Sequence, residues 1–415
     1  MGNLKFYNTL TNKKEPFSPR RNGHVKLFTC GPSVYRRQHL GNYRTYLFED
    51  VLWKYLEYQR YKVERVINFT DVEDKAIAEA REKDVSLEEL RRPLEEAFFK
   101  ECEVLKIRLP DQIPRATTSV DAATDLIKLL IDRGHAYWHK GEVFFDPLTY
   151  DGFGRLYGLD MSRWPDKKVR FKKDTYPGQQ WNMGDFILWH KRGKEDKDAW
   201  WETQIGQGRP SWNIQDAAMI SKHLGFEIDI HTGGIDNLYR HHDYTLAIME
   251  GASGKQFCPF WLHGGHLLVD GEKMSKSKGN VTYVEDLLNK GFYPRHIRFY
   301  LLYKPYRDSL DLRLKHMEDR AGYLDRVRRL ADLLLSRETE DAEESDVDLA
   351  AEMRIAFENR MNDNLDYAGA FNAVAEHLIR ALQVDKDHGI TTKSRQKLHA
   401  VIADADRVFG VLGCG

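Results

Sequence analysis

Two short segments of this chain carry side chains suited to handling a polyphosphate. Lys273-Met-Ser-Lys-Ser277-Lys-Gly-Asn280 presents several ammonium groups and two hydroxyls on a glycine-bounded stretch, which suits the transient charge of a polyphosphate being cleaved. His39-Leu-Gly-Asn42 stands much earlier, where a helical pattern opens after a short β-like run. A helix N-terminus offers free amide N–H groups and the positive end of the macrodipole, so it favours anionic phosphate. His39 can donate to a phosphoryl oxygen, and Gly41 lets a nucleotide approach the backbone. Alone, the lysine segment reads as a solvated loop and the histidine as a surface residue; together, in this order, they point to a nucleotide held from two sides.

The other phosphate-binding loops are missing. The sequence has no GxxxxGK[ST] and no GxGxxG, and Gly152-Phe-Gly-Arg-Leu-Tyr-Gly158 has neither the dinucleotide spacing nor a βα turn before it. Dehydrogenases and P-loop enzymes are therefore disfavoured.

The elements that must position these residues follow from the hydrophobic pattern. His24 to Thr29 reads as a strand and runs into Cys30-Gly-Pro-Ser-Val-Tyr35 and then Arg36, Arg37 and His39. Tyr46, Leu47, Val51, Tyr55 and Tyr58 recur at helical spacing, and Lys62 to Phe69 is β-rich again. This βαβ unit predicts a parallel sheet with its ligand crevice beyond the carboxyl ends of the strands. Ser86 and Glu89 form a capping-box pattern for a helix reaching about Leu105, and Thr117 to Arg133 is helical before a β-like Ala136 to Phe145. Seven of the nine tryptophans lie between Trp138 and Trp212, a texture that suggests an inserted subdomain. The βα pattern then resumes, with a helix over Ala217 to Leu224, a strand over Phe226 to His231 and a helix over Asn237 to Met249. Beyond Asp308 the apolar stripe Met317, Ala321, Leu324, Val327, Ala331 and Leu334 begins a helical bundle, interrupted by an acidic loop from Glu338 to Asp348.

Composition sets the bounds. The 415 residues, 41% hydrophobic with 30 Gly and 13 Pro, are enough for two to three domains at roughly 150 residues each. Sixty-three Lys and Arg oppose 64 Asp and Glu, a net charge of −1, so any polyanion must be held locally. The four cysteines show no CxxC spacing, which excludes a disulfide scaffold or an all-cysteine zinc module. With no membrane-length apolar run and no signal peptide, the expected compartment is the cytoplasm.

At this point the blocks resemble a known family. Thr29-Cys-Gly-Pro-Ser-Val-Tyr35, the HxGN, Asn68-Phe-Thr-Asp-Val-Glu-Asp-Lys75, Pro114-Arg-Ala-Thr117, Gly208-Arg-Pro-Ser-Trp-Asn-Ile214, Asp229-Ile-His-Thr-Gly-Gly-Ile-Asp236, His241-His242 and KMSKS occur in the order of class I aminoacyl-tRNA synthetases of the cysteinyl branch. The resemblance implies an α/β fold: a Rossmann-like catalytic domain over 1–116 and 206–258, an inserted subdomain over 117–205, a KMSKS region over 259–311 and a C-terminal α-helical bundle over 312–415. It implies amino-acid activation, in which a carboxylate attacks the α-phosphorus of ATP, with Mg²⁺, to give aminoacyl-adenylate and pyrophosphate. His39, Asn42, Lys273 and Lys276 would then be catalytic, and Gly41, Gly233, Asp236, Met274 and Ser275 would join them around ATP. Cys30, Gly31, Thr70, Trp212, Asp216, Asp236 and His241 would form the amino-acid pocket, with Thr70 and Asp236 on the α-amino group and Trp212 as a wall.

Several departures from the family pattern shape the expectation. Cysteinyl-tRNA synthetases grip the substrate thiolate with zinc bound by two Cys, one His and one Glu. Here the first ligand position is Cys30 and the histidine position is His241, but Asp216 stands at the second cysteine and Thr245 at the glutamate. Cys30, Asp216 and His241 are the three ligands left, and zinc is expected to be absent. Asp216 in that pocket would favour a hydroxyl or an amine, which implies a small amino acid other than cysteine. Asn42 replaces the usual second histidine, implying weakened activation. The family's anticodon-reading domain after the bundle has no counterpart, a layout similar to the mycothiol-pathway cysteine ligase. The expected acceptor is therefore a small-molecule amine or a carrier and the expected state a monomer. The alternatives are tRNA charging, cysteine ligation and a non-catalytic binding module.

Overall fold

The computed structural model describes residues 4–173, 183–274, 278–336 and 348–414. Its centre is a four-stranded parallel sheet, with Phe260–Gly264, Ile230–Gly234, His24–Thr29 and Lys62–Ile67 side by side in that order. In strand His24–Thr29 alternate side chains face opposite layers, as the period of two requires. Val25 and Leu27 join the core that includes helix Leu40–Tyr58, whereas Phe28 joins the core of helices Val120–Asp132, Trp212–His223 and Asp243–Ser253. Burial on both faces leaves Val25, Leu27 and Phe28 all within apolar layers.

The chain leaves His24–Thr29 to build Lys62–Ile67 on one side, and later returns to place Ile230–Gly234 on the other. That reversal opens a crevice beyond the strand ends. Cys30, Gly234 and Gly264 come to its edge together because the register aligns Thr29 with Thr232 and Gly234 with Gly264.

Between the two halves lies a mostly antiparallel sheet of Ala136–His139, Glu142–Phe145, Asp185–Lys191, Gly206–Pro210 and Trp201–Thr203, with Arg170–Phe171 alongside. It runs five residues past the junction expected at 205. Its Phe186 stacks flat on Tyr244 of helix Asp243–Ser253, centroids 3.8 Å apart, which locks the insertion to the layer behind the site.

The C-terminal helices Leu314–Ser336, Leu349–Asn362, Tyr367–Asp387 and Thr392–Phe409 form the bundle, and the whole stripe from Met317 to Leu334 is buried as its spacing implies. Among the described residues no helix is long and apolar enough to cross a membrane.

Two expectations shift. The strand placed at Phe226–His231 lies at Ile230–Gly234; the Asp229 carboxylate accepts the backbone N–H groups of Arg20 and Lys26 and its own N–H donates to the Lys26 carbonyl at 3.0 Å, so cross-strand bonding opens at Asp229 rather than at Phe226. The helix expected from Asn237 begins at Asp243, because Arg240 adopts φ 77° and breaks the turn before it.

The bundle and helix Leu40–Tyr58, which covers the sheet, are joined through a buried guanidinium. Arg298 donates to Asp50 at 2.7 Å, to the Phe409 carbonyl at 2.7 Å and to the carbonyls of Leu105 and Lys106, both at 3.0 Å. Lys54 Nζ also lies 2.7 Å from the Asp50 carboxylate, so Arg298→Ala leaves Asp50 one cationic partner and, through the lost charge-assisted bonds, should lower unfolding free energy by about 2 kcal/mol in denaturant titration. A change below about 1 kcal/mol would mean that the joint bears little of the stability.

Candidate active site

A cavity of about 420 Å³ lies in the crevice. Its lining joins Cys30, Gly31, His39, Gly41 and Asn42 on one side to Gly234, Asp236, Asn237, Lys273 and Met274 on the other. The two segments first singled out in the sequence therefore face one space.

His39 is the N-cap of helix Leu40–Tyr58, and its backbone N–H donates to Asn42 Oδ1 at 3.0 Å. Asn42 thus spends its carbonyl oxygen on the cap and keeps its amide NH₂ as a donor. Burial lowers the His39 pKa, with Asp236 opposing, so the ring is neutral near pH 7. Lys273 ends a short strand and its ammonium lies 3.5 Å from Asp236. Met274 is largely buried in the apolar core and pins the start of the lysine segment. Ser275 and Lys276 lie outside the described residues.

The amino-acid residues fall into two groups. Cys30 and Gly31 line the cavity, but Thr70, Trp212, Asp216 and His241 do not; they stand behind them as a buried layer. Thr70 is held in the backbone by Pro32 and Val34. Trp212 stacks on His241 with centroids 4.1 Å apart and planes 6° from parallel. Asp216 accepts from Asn68 Nδ2 at 3.0 Å with one oxygen and meets His241 Nε2 at 2.9 Å with the other. Cys30 closes the cavity in front of this pair. Its thiol is pushed well above the usual range by burial and then by Asp216, and Asn237 Nδ2 donates to its sulfur at 3.6 Å. Gly233 also stands behind the lining, where a Cβ would sit 2.6 Å from His242 and 3.3 Å from Cys30 Cβ. At Gly31 a Cβ would meet the Asn68 carbonyl oxygen at 1.9 Å, so only glycine fits there.

Donor convergence tests the zinc expectation. Asp216 is not part of the convergent set; Cys30, His241 and His242 are, with one ligand atom from each within 4.8 Å of the others. His241 Nδ1 and His242 Nε2 are buried without a hydrogen-bond partner. The opposite nitrogen of His242 bonds with His263 Nε2 at 2.8 Å, which is how outer partners orient metal-binding imidazoles, while that of His241 lies 2.9 Å from Asp216 Oδ2 as an ion-pair contact without hydrogen-bond geometry. These three residues fit a three-donor centre, whose ion would bind and polarise a fourth ligand. Thr245 contributes nothing to it, because its hydroxyl donates to the His241 carbonyl at 2.9 Å.

Sequence reading missed His242, His263, Asn68 and Asn237. The His-His doublet and Asn68 stand inside the recognised blocks, and Asn237 directly follows one; what was hidden is that their partners come from elements far away in sequence. It also left Arg36, Arg37 and Tyr283 of the lining without a role.

Residues 16–321 match the model of the class I (C) tRNA synthetase catalytic domain. The chain belongs to the cysteinyl-tRNA synthetase family of class I. A cysteine–tRNA ligase of Brachyspira hyodysenteriae is 35% identical over 418 residues, covering 100% of this chain and 87% of the relative. One of Solibacter usitatus is 37% identical, covering 99% of this chain and 87% of its own length. Among solved structures, a Mycobacterium tuberculosis methionyl-tRNA synthetase in complex with methionyl-adenylate superposes with a TM-score of 0.70 at 17% identity, covering 93% of this chain and 92% of that one. Family membership makes the chain an ATP-dependent ligase.

The buried histidines set a pH limit on the fold. His263 has its pKa lowered to about 3 by burial and Arg307, and it is tied to His242 and to Thr9 Oγ1 at 2.9 Å. A group depressed in the folded state leaves stability intact above its unfolded pKa of about 6.5 and removes it as pH falls below that value. His263→Gln should abolish a loss of about 2 kcal/mol that wild type suffers between pH 7 and pH 5, as read by denaturant unfolding at each pH. Equal slopes in both proteins would show that His263 titrates normally in the fold.

Proposed function

We propose that this ligase activates a small amino acid other than cysteine, one whose side chain ends in a hydroxyl or an amine, and passes it to a small-molecule amine or a carrier. The single observation that carries this reading is the Asp216–His241 pair at 2.9 Å, standing where the family pattern has a sulfur ligand. A buried carboxylate engages hydrogen-bond donors, and neither a thiolate nor a soft-ligand selection is favoured beside it. Because Cys30 screens the pair from the cavity, the substrate side chain meets the Cys30 thiol and Asn237 first. A hydroxyl or amine reaches Asp216 as that thiol turns aside.

The roles of the described residues are argued from placement, and those of Ser275 and Lys276 from the family pattern alone. His39 and the Asn42 amide donate to phosphoryl oxygens at the helix N-terminus, Lys273 and Lys276 hold the leaving pyrophosphate, and Mg²⁺ enters with ATP. Gly41, Met274 and Ser275 border the nucleotide. Asp236 takes the α-amino group, which draws it from Lys273. Thr70, Trp212 and Gly233 support the pocket from behind. The changed amino acid supports the changed acceptor, since loading a different amino acid on a cysteine tRNA would miscode. The enzyme acts as a cytoplasmic monomer.

A second reading is favoured by the convergence of Cys30, His241 and His242. In it zinc rests on those three residues and cysteine is the substrate, joined to tRNA as in the named relatives.

Amino-acid-dependent ATP/pyrophosphate exchange over all standard amino acids and short diamino acids separates the two. The first reading expects exchange with a hydroxyl- or amine-bearing amino acid, lowered at least about tenfold, or 1.4 kcal/mol, by Asp216→Asn. Exchange confined to cysteine, with one zinc per chain, establishes the second reading instead. His39→Gln should lower the exchange rate by about 100-fold, the size expected of one lost transition-state donor; an undiminished rate would remove His39 from the phosphate site.

A further inference from the structure

The ATP end of the cavity is bordered by an arginine with no part in the roles above. We infer that Arg37 is a positioning residue for nucleotide activation, a clamp that holds the chain returning from the lysine segment against the helix N-terminus carrying His39 and Asn42. The inference rests on the assignment of this cavity to ATP.

Phosphates gripped from two sides need the two sides held at a fixed separation, because misplacement by about 1 Å can cost 10²-fold in rate. Here the sides come from distant parts of the chain. After Lys273 and the following segment, the chain returns through Val281 and Tyr283, both of which line the cavity, into helix Val284–Asn289. Two contacts fasten this return to the other side. Leu40 N–H donates to the Thr282 carbonyl at 2.8 Å, a backbone bond. The second is Arg37, whose Nη1 donates to Glu285 at 2.9 Å and whose guanidinium stands 5.1 Å from the Tyr283 ring centroid.

The other edge of the guanidinium is anchored. Nε and Nη2 donate to Glu101 Oε1 at 3.1 and 2.7 Å, and Glu101 Oε2 accepts from the Tyr43 hydroxyl at 2.6 Å. Tyr43 belongs to the same helix as Asn42, so Arg37 links that helix, helix Leu87–Val104 and the returning chain. All three nitrogens of the fork are engaged with carboxylates, which fits a clamp better than a direct phosphate ligand. A lysine could not make the three directed bonds.

The test is the ATP dependence of pyrophosphate exchange in wild type, R37A, R37K, E285Q and the R37A/E285Q double variant, with thermal unfolding of each. Arg37→Ala should raise KM for ATP between about 10- and 100-fold while KM for the amino acid stays within about twofold. Arg37→Lys should fail to restore it, and Glu285→Gln should raise KM for ATP less. The double variant should be no worse than R37A, since both changes open one clamp. If R37A lowers only the melting temperature and leaves KM for ATP unchanged, the clamp is structural and the inference falls. If R37A is severe while E285Q is silent, the arginine touches the nucleotide itself, which also overturns positioning. A wild-type chain with no ATP-dependent exchange for any amino acid would remove the assignment of the cavity, and the clamp with it.

Discussion

The parallel pairing of strand His24–Thr29 with a neighbour on each side is the constraint on which the rest depends. Because the chain builds Lys62–Ile67 on one side first and Ile230–Gly234 on the other much later, the strand ends diverge and leave a crevice that no side chain of the sheet fills. Most of the cavity lining is attached to that edge, and Lys273 reaches it from a separate short strand. Cys30 and Gly31 continue the first strand, Asn68 follows its neighbour, and Gly234 and Asp236 close the third. Helix Leu40–Tyr58 starts at the same edge and brings the amides of its first turn to the cavity, as an anion site requires.

Behind the crevice the chemistry is denser than the cavity alone suggests. Cys30, Asp216, His241, His242, His263 and Trp212 are all buried and are joined by stacking, hydrogen bonds and one carboxylate–imidazole contact. The pair Asp216 and His241 occupies the position of a ligand pair in the family pattern, while a ring nitrogen of His242, next in sequence, lies within 4.8 Å of the Cys30 sulfur. One layer thus offers two chemistries, hydrogen-bond recognition by a carboxylate or ligation by a sulfur and two imidazoles. Insertion and layer are coupled: Asp243, adjacent to His242, accepts the backbone N–H groups of Leu156 and Tyr157 at 3.1 and 3.0 Å.

Much of this was legible in the residues. The βαβ start, the capping box at Ser86 and Glu89, the bundle stripe from Met317 to Leu334 and the meeting of the HxGN with Lys273 follow from local period and from the order of the motifs. What local pattern could not convey is depth. Asp216, Trp212, His241 and Thr70 belong to the recognised blocks, yet they lie one layer behind the cavity, because that layer is set by how helices Trp212–His223 and Asp243–Ser253 pack beneath the sheet. Gly233 and Gly234 lie in the strand, beyond the end expected at His231, and the close approach of His242 and Cys30 leaves no room for a Cβ at Gly233. The role of His242 was hidden for a similar reason: its partner His263 arrives from a strand formed later in the chain.

In the proposed function the pocket floor has exchanged thiolate recognition for a carboxylate-centred one. That exchange is tested most directly by offering the purified chain all standard amino acids and short diamino acids together with ATP and identifying the retained aminoacyl-adenylate by mass spectrometry, with zinc measured in the same sample. A retained adenylate of a hydroxyl- or amine-bearing amino acid, with zinc well below one per chain, is the predicted result. Cysteinyl-adenylate alone, with one zinc per chain, would contradict it and assign the floor to Cys30, His241 and His242 as metal ligands.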